Sequence, residues 1–253
     1  MTDWAWSTAL YGGALAAILG AAGVVWPLRR LHRESRPRAL VMLAAGVVLA
    51  LAVALSSPSA IDSAAGLAID EFAPRFHFRE RHELEVAASP DRVYAAIKAV
   101  AADDISLFNL FTSIRRFGRP GPESILHAPG RQPILDVATR TGFLLLADRP
   151  PREIVIGAVV IAPPATSNAR RPTTRDEYKS LAAAGFAKAT MNFLVEDAGD
   201  GNSRVITETR IFATDSSALR RFTPYWRIIF PGSAILRLTW LRAIRAIGQQ
   251  ASS

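Results

Sequence analysis

Two uncharged apolar runs open the chain, and behind them the pattern changes to short alternations and amphipathic stretches. Trp4 to Trp26 carries no charged residue over 23 positions. As a helix rising ~1.5 Å per residue it would reach about 35 Å, enough for a hydrocarbon layer of ~30 Å. Trp4, Trp6 and Trp26 stand at its ends, where interfacial aromatics belong. Ala39 to Leu55 is a second uncharged run, near the lower length limit, which Ser56 and the residues after it extend by a turn. The pattern predicts a transmembrane hairpin over residues 1–57, with spans at 4–26 and 39–57. Gly12, Ala16 and Gly20 recur every fourth position in the first span, as do Gly46, Ala50 and Ala54 in the second, so the two backbones can approach closely. The same small-residue faces also offer a homodimer contact.

Residues 58–78, small-residue-rich up to Ala73 and carrying Pro58, Gly66 and Pro74, read as a tether or a short interfacial helix. From residue 79 to 253 the alternations predict a folded domain. Arg81 to Ala87 alternates polar and apolar and predicts a strand. Ser89-Pro90-Asp91 supplies an N-cap, a first-turn proline and an acidic first turn for a helix along Val93, Ala96, Ile97 and Val100. A second helix is predicted from Asp103-Asp104 along Leu107, Leu110, Phe111 and Ile114. Short strands are predicted around Ser124 to His127, Ile134 to Thr139, Gly142 to Asp148 and Glu153 to Ile161, followed by a loop with a short helix over Pro163 to Gly185. Ala187 to Glu196 and Arg204 to Ala213 form the clearest hairpin, joined by Asp197 to Asn202 with the glycines a tight turn needs.

The chain closes on a helix predicted from Ser233 to Gln249. Leu236, Trp240, Ala243, Ile244 and Ile247 fall on one stripe at the 3.6-residue period, Ser233 serves as N-cap, and Pro231-Gly232 breaks any helix arriving from Tyr225 to Phe230. A stripe that wide needs a partner surface, and only the strands offer one. The expected class is α+β, an antiparallel sheet wrapped around its last helix.

Charge adds a direction to this picture. The chain of 253 residues is 50% hydrophobic with a net charge of +8, and the residues after the hairpin are basic in their own right. The arginines are interspersed with acids and no recognised binding motif accompanies them, which argues against nucleic acid and for anionic lipid headgroups. Arg29, Arg30, Arg33, Arg36 and Arg38 crowd the loop between the spans. The positive-inside rule puts that loop in the cytoplasm and both termini outside, so the folded domain is expected to be extracytoplasmic on a two-span membrane protein. Met1-Thr2-Asp3 is acidic, unlike the basic start of a signal peptide.

The stretch VAASPDRVYAAI, a strand running through Ser-Pro into a helix, resembles the opening of the START-like (SRPBCC, polyketide-cyclase and lipid-transport) superfamily. The tail ITETRIFATDSSALRRFTPYWRIIFPGSAILRLTWLRAI is similar to bacterial members of unassigned function. The resemblance covers roughly 79–249 and implies a helix-grip fold, with a hydrophobic or lipid-like ligand between sheet and terminal helix. It does not fix a function, because that superfamily hosts carriers, cyclases and regulators alike.

Candidate chemistry is sparse. Cysteine is absent, and the four histidines show no metal-binding spacing, so neither metal nor cofactor is expected. No Ser-His-Asp order, phosphate loop or paired-carboxylate signal is present; a binding module is the expected reading, with a cyclase- or hydratase-type enzyme using Glu208 and Arg210 in the same cavity, or an envelope protein-interaction domain without ligand, as the alternatives. In the strand Arg204 to Ala213, Glu208 and Arg210 share one face. Turned inward they would form a polar centre in an apolar site; turned outward they would be an ordinary surface pair. Glu208, Arg210, Tyr225, Trp226 and Trp240 are the candidate ligand-binding residues. His82 and Asp103-Asp104 read as solvated surface.

Overall fold

The computed structural model describes residues 3–25, 35–64, 66–115, 130–164 and 170–250. The chain divides into two compact units. One comprises Met1–Ser57 with Arg220–Pro231, the other Pro58–Leu219 with Gly232–Ser253.

The first unit is built on α1 (Asp3–Val25) and α2 (Ser35–Leu55), both long and apolar enough to cross a membrane. The helices pack backbone to backbone through glycine. A Cβ on Gly20 would lie 2.4 Å from the Leu43 nitrogen, and one on Gly46 equally close to that of Ala17. Gly20, Gly46 and Ala50 are thus in the contact as the spacing predicts, but at the start of α1 it is Gly13 that meets Ala50, whereas nothing lies within 4 Å of the Cβ position of Gly12. The basic loop falls largely outside the described residues.

The second unit begins with β1 (Ile61–Asp62), α3 (Ala68–Phe72) and β2 (Arg75–Phe76), then β3 (Phe78–Val86), α4 (Pro90–Ala99), a 3-10 turn at Ala102–Asp104, α5 (Phe108–Arg115) and α6 (Ile134–Arg140). It continues with β4 (Leu144–Arg149), β5 (Glu153–Ile161), α7 (Arg175–Ser180), β6 (Ala187–Gly199) and β7 (Asn202–Ala213), and ends in α8 (Ser216–Gln250), of which Arg220–Pro231 is counted with the first unit. The five long strands form one antiparallel sheet in the order β3-β7-β6-β5-β4.

Local chemistry explains most of these elements. Ser89 in extended geometry and Pro90 at the first turn start α4. Asp200 and Gly201, both at positive φ, form the two-residue turn that joins β6 to β7. Thr174 and Glu177 form a capping box at α7: the Thr174 hydroxyl accepts from the Glu177 N–H, and the Glu177 carboxylate from the Thr174 N–H.

Three expectations are corrected. Ile134 to Thr139 is helical, because Ile134, Val137 and Ala138 are buried at i, i+3 and i+4 behind Pro133. The second helix after Asp103-Asp104 starts only at Phe108, the aspartates lying in a 3-10 turn. Finally, α8 runs unbroken over 35 residues with Pro224 and Pro231 inside it, so Ser233 lies mid-helix and caps nothing. The predicted strand at Ser124 to His127 lies outside the described residues.

In the second unit the sheet wraps the C-terminal half of α8, a helix-grip arrangement. Val86, Val205, Val195, Phe193, Ile154 and Ile156 from the sheet pack with Trp240, Leu241, Ala243 and Ile244 of α8 and with Val93 and Ile97 of α4. The opposite sheet face is covered too. Val155 and Leu146 pack there with Ile69 and Phe72 of α3 and with Tyr178 of α7.

Candidate functional site

On the helix-facing side of β3 the residues are Phe78, Glu80, His82, Leu84 and Val86, registered against Ile211, Thr209, Thr207, Val205 and Ser203 of β7. Glu80 is therefore a carboxylate aimed at α8, only 3% exposed. Its two oxygens have different partners. The Ser233 hydroxyl donates to Oε2 at 2.8 Å, and His82 Nε2 lies 3.0 Å from Oε1. Further along α8, at intervals of about a turn, Arg237 meets the sulfur of Met191 and Trp240 packs against the Phe193 ring at 5.1 Å. The grip is thus graded, polar around Glu80, His82 and Ser233 and apolar from Trp240 to Ile244. One donor within it is left over: the Trp240 indole N–H is buried and has no hydrogen-bond partner among the described residues.

Sequence reasoning placed His82 on the surface, gave Ser233 a capping role and passed over Glu80. The signal lay in the strand's phase, since Glu80 and His82 share parity with Leu84 and Val86. A charged residue in phase with buried aliphatics is the informative one.

Glu208 and Arg210 lie on the other face of the sheet. They are buried, at 3% and 4% exposure, beneath the segment that carries α3. Arg210 Nη1 donates to Asp70 Oδ1 at 2.7 Å and to the Ala73 carbonyl at 3.0 Å, and its Nε to Glu208 Oε1 at 2.6 Å. Arg79 forks onto both Glu208 oxygens at 2.9 and 2.8 Å. Next to them, Glu153 accepts the N–H groups of Ala68 and Ile69 and the Asn192 amide. The stretch read as a tether is thereby strapped to the sheet. Tyr225 and Trp226 belong to the first unit, in an aromatic series with Phe222 and Phe230. Of the five candidate residues, only Trp240 lies between sheet and helix.

The strap makes stability depend on pH. Burial pushes Asp70 up, but hydrogen bonds from Ser63, Arg210 and the Leu67 N–H outweigh it and hold the carboxyl below its ordinary 3.8. Burial likewise raises Glu208, and Arg79 and Arg210 bring it below 4.5. For groups so depressed, the stabilisation is complete above the unfolded value and is lost as pH falls through the folded one. Burial, with Arg75 beside it, also lowers His77, whose Nδ1 accepts the Ala213 N–H. Below its ordinary 6.5 the unfolded chain takes up a proton that the fold refuses. The midpoint of urea unfolding should accordingly fall in two steps, one below pH 6.5 and one below pH 4.5. His77→Gln should remove the first and leave the second, as a titration between pH 8 and 3 would show.

No group of three or more metal-ligating side chains occurs among the described residues. No family model matches the chain, and no curated protein does. Among solved structures, a hypothetical protein from Helicobacter pylori is 9% identical, with 75% of this chain and 98% of that one covered and a TM-score of 0.36. The Zhui aromatase/cyclase of Streptomyces sp. R1128 is 11% identical over 70% and 96%, with a TM-score of 0.30. A protein from Thermus thermophilus is 12% identical over 70% and 100%, with a TM-score of 0.29. At such scores these likenesses say nothing of what the chain binds.

Proposed function

We propose that this protein is a membrane-anchored binding module that holds a hydrophobic or lipid-like molecule between the helix-facing side of the sheet and α8. The observation that carries the reading is the buried, unpartnered indole N–H of Trp240. A buried donor without an acceptor is costly and rare. A carbonyl or hydroxyl oxygen on a ligand would accept it, while Phe193, Met191 and Ile156 would meet the ligand's apolar part and the Glu80 cluster its polar end. Few polar groups in an apolar surround is the composition of small-molecule sites.

The anchor in this reading is the α1–α2 hairpin, whose outward side chains include Leu15, Ile18, Leu19, Val41, Val48 and Leu51, all exposed. A soluble protein rarely shows so much contiguous apolar surface. The arginine-rich loop would lie in the cytoplasm and the sheet outside it. A periplasm-sensitive reporter fused at Ser253 should be active; activity of a cytoplasm-only reporter there would overturn the orientation.

Organic extraction of the full-length protein purified in detergent, followed by mass spectrometry, tests the binding reading. Trp240→Phe keeps most of the packing and removes the N–H, and it should lose most of a co-purifying species that the parent and the surface variant Arg204→Ala retain. Equal retention by Trp240→Phe, Glu80→Gln and the parent would sink the site.

A further inference from the structure

The first unit contains, besides the hairpin, residues Arg220–Pro231 of α8. Pro231 has no N–H, so the carbonyl of Arg227, four residues back, loses its helical donor. In a water-exposed helix solvent would take that place. Here the Ser7 hydroxyl of α1 donates to the Arg227 carbonyl at 2.8 Å in a fully buried contact. One turn further along α1, the Tyr11 hydroxyl donates to the carbonyl of Ile228 at 2.7 Å. Between Trp6 and Val25, the only polar side chains are Ser7, Thr8 and Tyr11. Two of these three are committed to backbone oxygens of another helix. That is how a proline-interrupted helix is completed where water is absent.

The level of these contacts is marked by aromatic and basic groups. The Arg227 guanidinium stacks on the Trp6 ring at 4.1 Å and donates to the Ser56 carbonyl just past the end of α2. Trp4 meets Phe230 edge to face at 5.3 Å. The segment therefore lies at the end of the hairpin where α1 begins and α2 finishes, among the tryptophans that favour the headgroup boundary. Its inner side is Phe222, Trp226 and Phe230, all buried, while Ile228, 54% exposed, and Tyr225 face outward. They continue the outward apolar surface of the spans. Arg220 and Arg221 open the segment, basic residues of the kind that favour anionic headgroups.

We propose that residues 220–231 of α8 are a third bilayer-seated element, lying at the headgroup–acyl boundary beside Trp4 and Trp6 with Ile228 and Tyr225 toward the lipid chains. The proposal rests on the membrane reading of the hairpin. The partner is the lipid bilayer, and the segment attaches α8 to it without crossing it.

The chain has no cysteine, so single cysteines can be placed without a background. Ile228→Cys, Leu49→Cys and Asp200→Cys, each carrying an environment-sensitive fluorophore, would be reconstituted as the full chain in phosphatidylcholine–phosphatidylglycerol vesicles. The vesicles would contain lipids with a nitroxide near the headgroup or near the chain end. The label at position 49 should be quenched most by the deep nitroxide, that at 228 most by the shallow one, and that at 200 by neither. Quenching at 49 with a response at 228 no stronger than at 200 would overturn the proposal and leave the anchored hairpin standing. Absence of quenching at both 49 and 228 would overturn the membrane reading itself and the proposal with it.

Discussion

Replacing Arg210 with alanine is expected to destabilise the protein by about 3–5 kcal/mol, the range for removing one partner from a buried ionic group. Asp70 and Glu208 would remain, with side chains only 8% and 4% exposed and no guanidinium between them. The Ala73 carbonyl would lose its donor as well. Arg79, with half its side chain in solvent, still bonds Glu208 but reaches Asp70 only through a weaker coulombic attraction. Arg79→Ala should accordingly cost less than Arg210→Ala. Urea titration followed by tryptophan fluorescence measures both. A loss below about 1 kcal/mol for Arg210→Ala would mean that these charges are hydrated, as surface pairs are.

The second large effect is expected at Trp240. The residue is 3% exposed and its ring is packed on Phe193, so Trp240→Ala removes a large aromatic from between sheet and helix. The expected cost is about 3–5 kcal/mol. Arg242, two residues on, is exposed, and Arg242→Ala should cost under about 0.5 kcal/mol. Similar effects from the two in one denaturant series would mean that the sheet does not grip α8 through this face. Trp240→Phe, which retains a ring, should fall well short of the alanine variant in destabilisation while still removing the donor proposed for a ligand.

The parts of the fold that could be read in advance are those decided within a few residues. Ser89-Pro90, the Asp200-Gly201 turn and the uncharged runs each carry their own geometry. Where a neighbour decides, the pattern fell short. Pro231 reads locally as a helix break, yet Ser7, far away in sequence, supplies the donor that lets α8 run through. Seven residues from Ile134 are too few to separate period 2 from period 3.6, and the burial of Val137 and Ala138 settles the matter. For the site, alternation along β7 shows that Glu208 and Arg210 share a face but not which layer covers it. Both faces turn out to be covered, one by α8 and one by α3 and α7. The polar cluster at Glu80 was hidden because β3 carries charge on both faces, with Arg79, Arg81, Glu83 and Glu85 alternating with Glu80 and His82.

The strand order also bears on how the chain reaches this state. β3 pairs in the sheet with β7, and Ser203 on β7 bonds the Ala88 carbonyl across 115 residues of intervening chain. β5, β6 and β7 are joined in sequence and can zip locally, but β3 has to be closed onto a finished hairpin across a loop of that length, with its entropic cost. Leu84 and Val86, whose face packs on α4 and α8, therefore lack both their strand partner and the α8 part of their cover on the nascent chain until β7 and the helix after it have been made. A chain halted anywhere before Asn202 leaves that strand's apolar side open to other molecules, and the interval before β7 emerges is when this protein is most prone to associate wrongly.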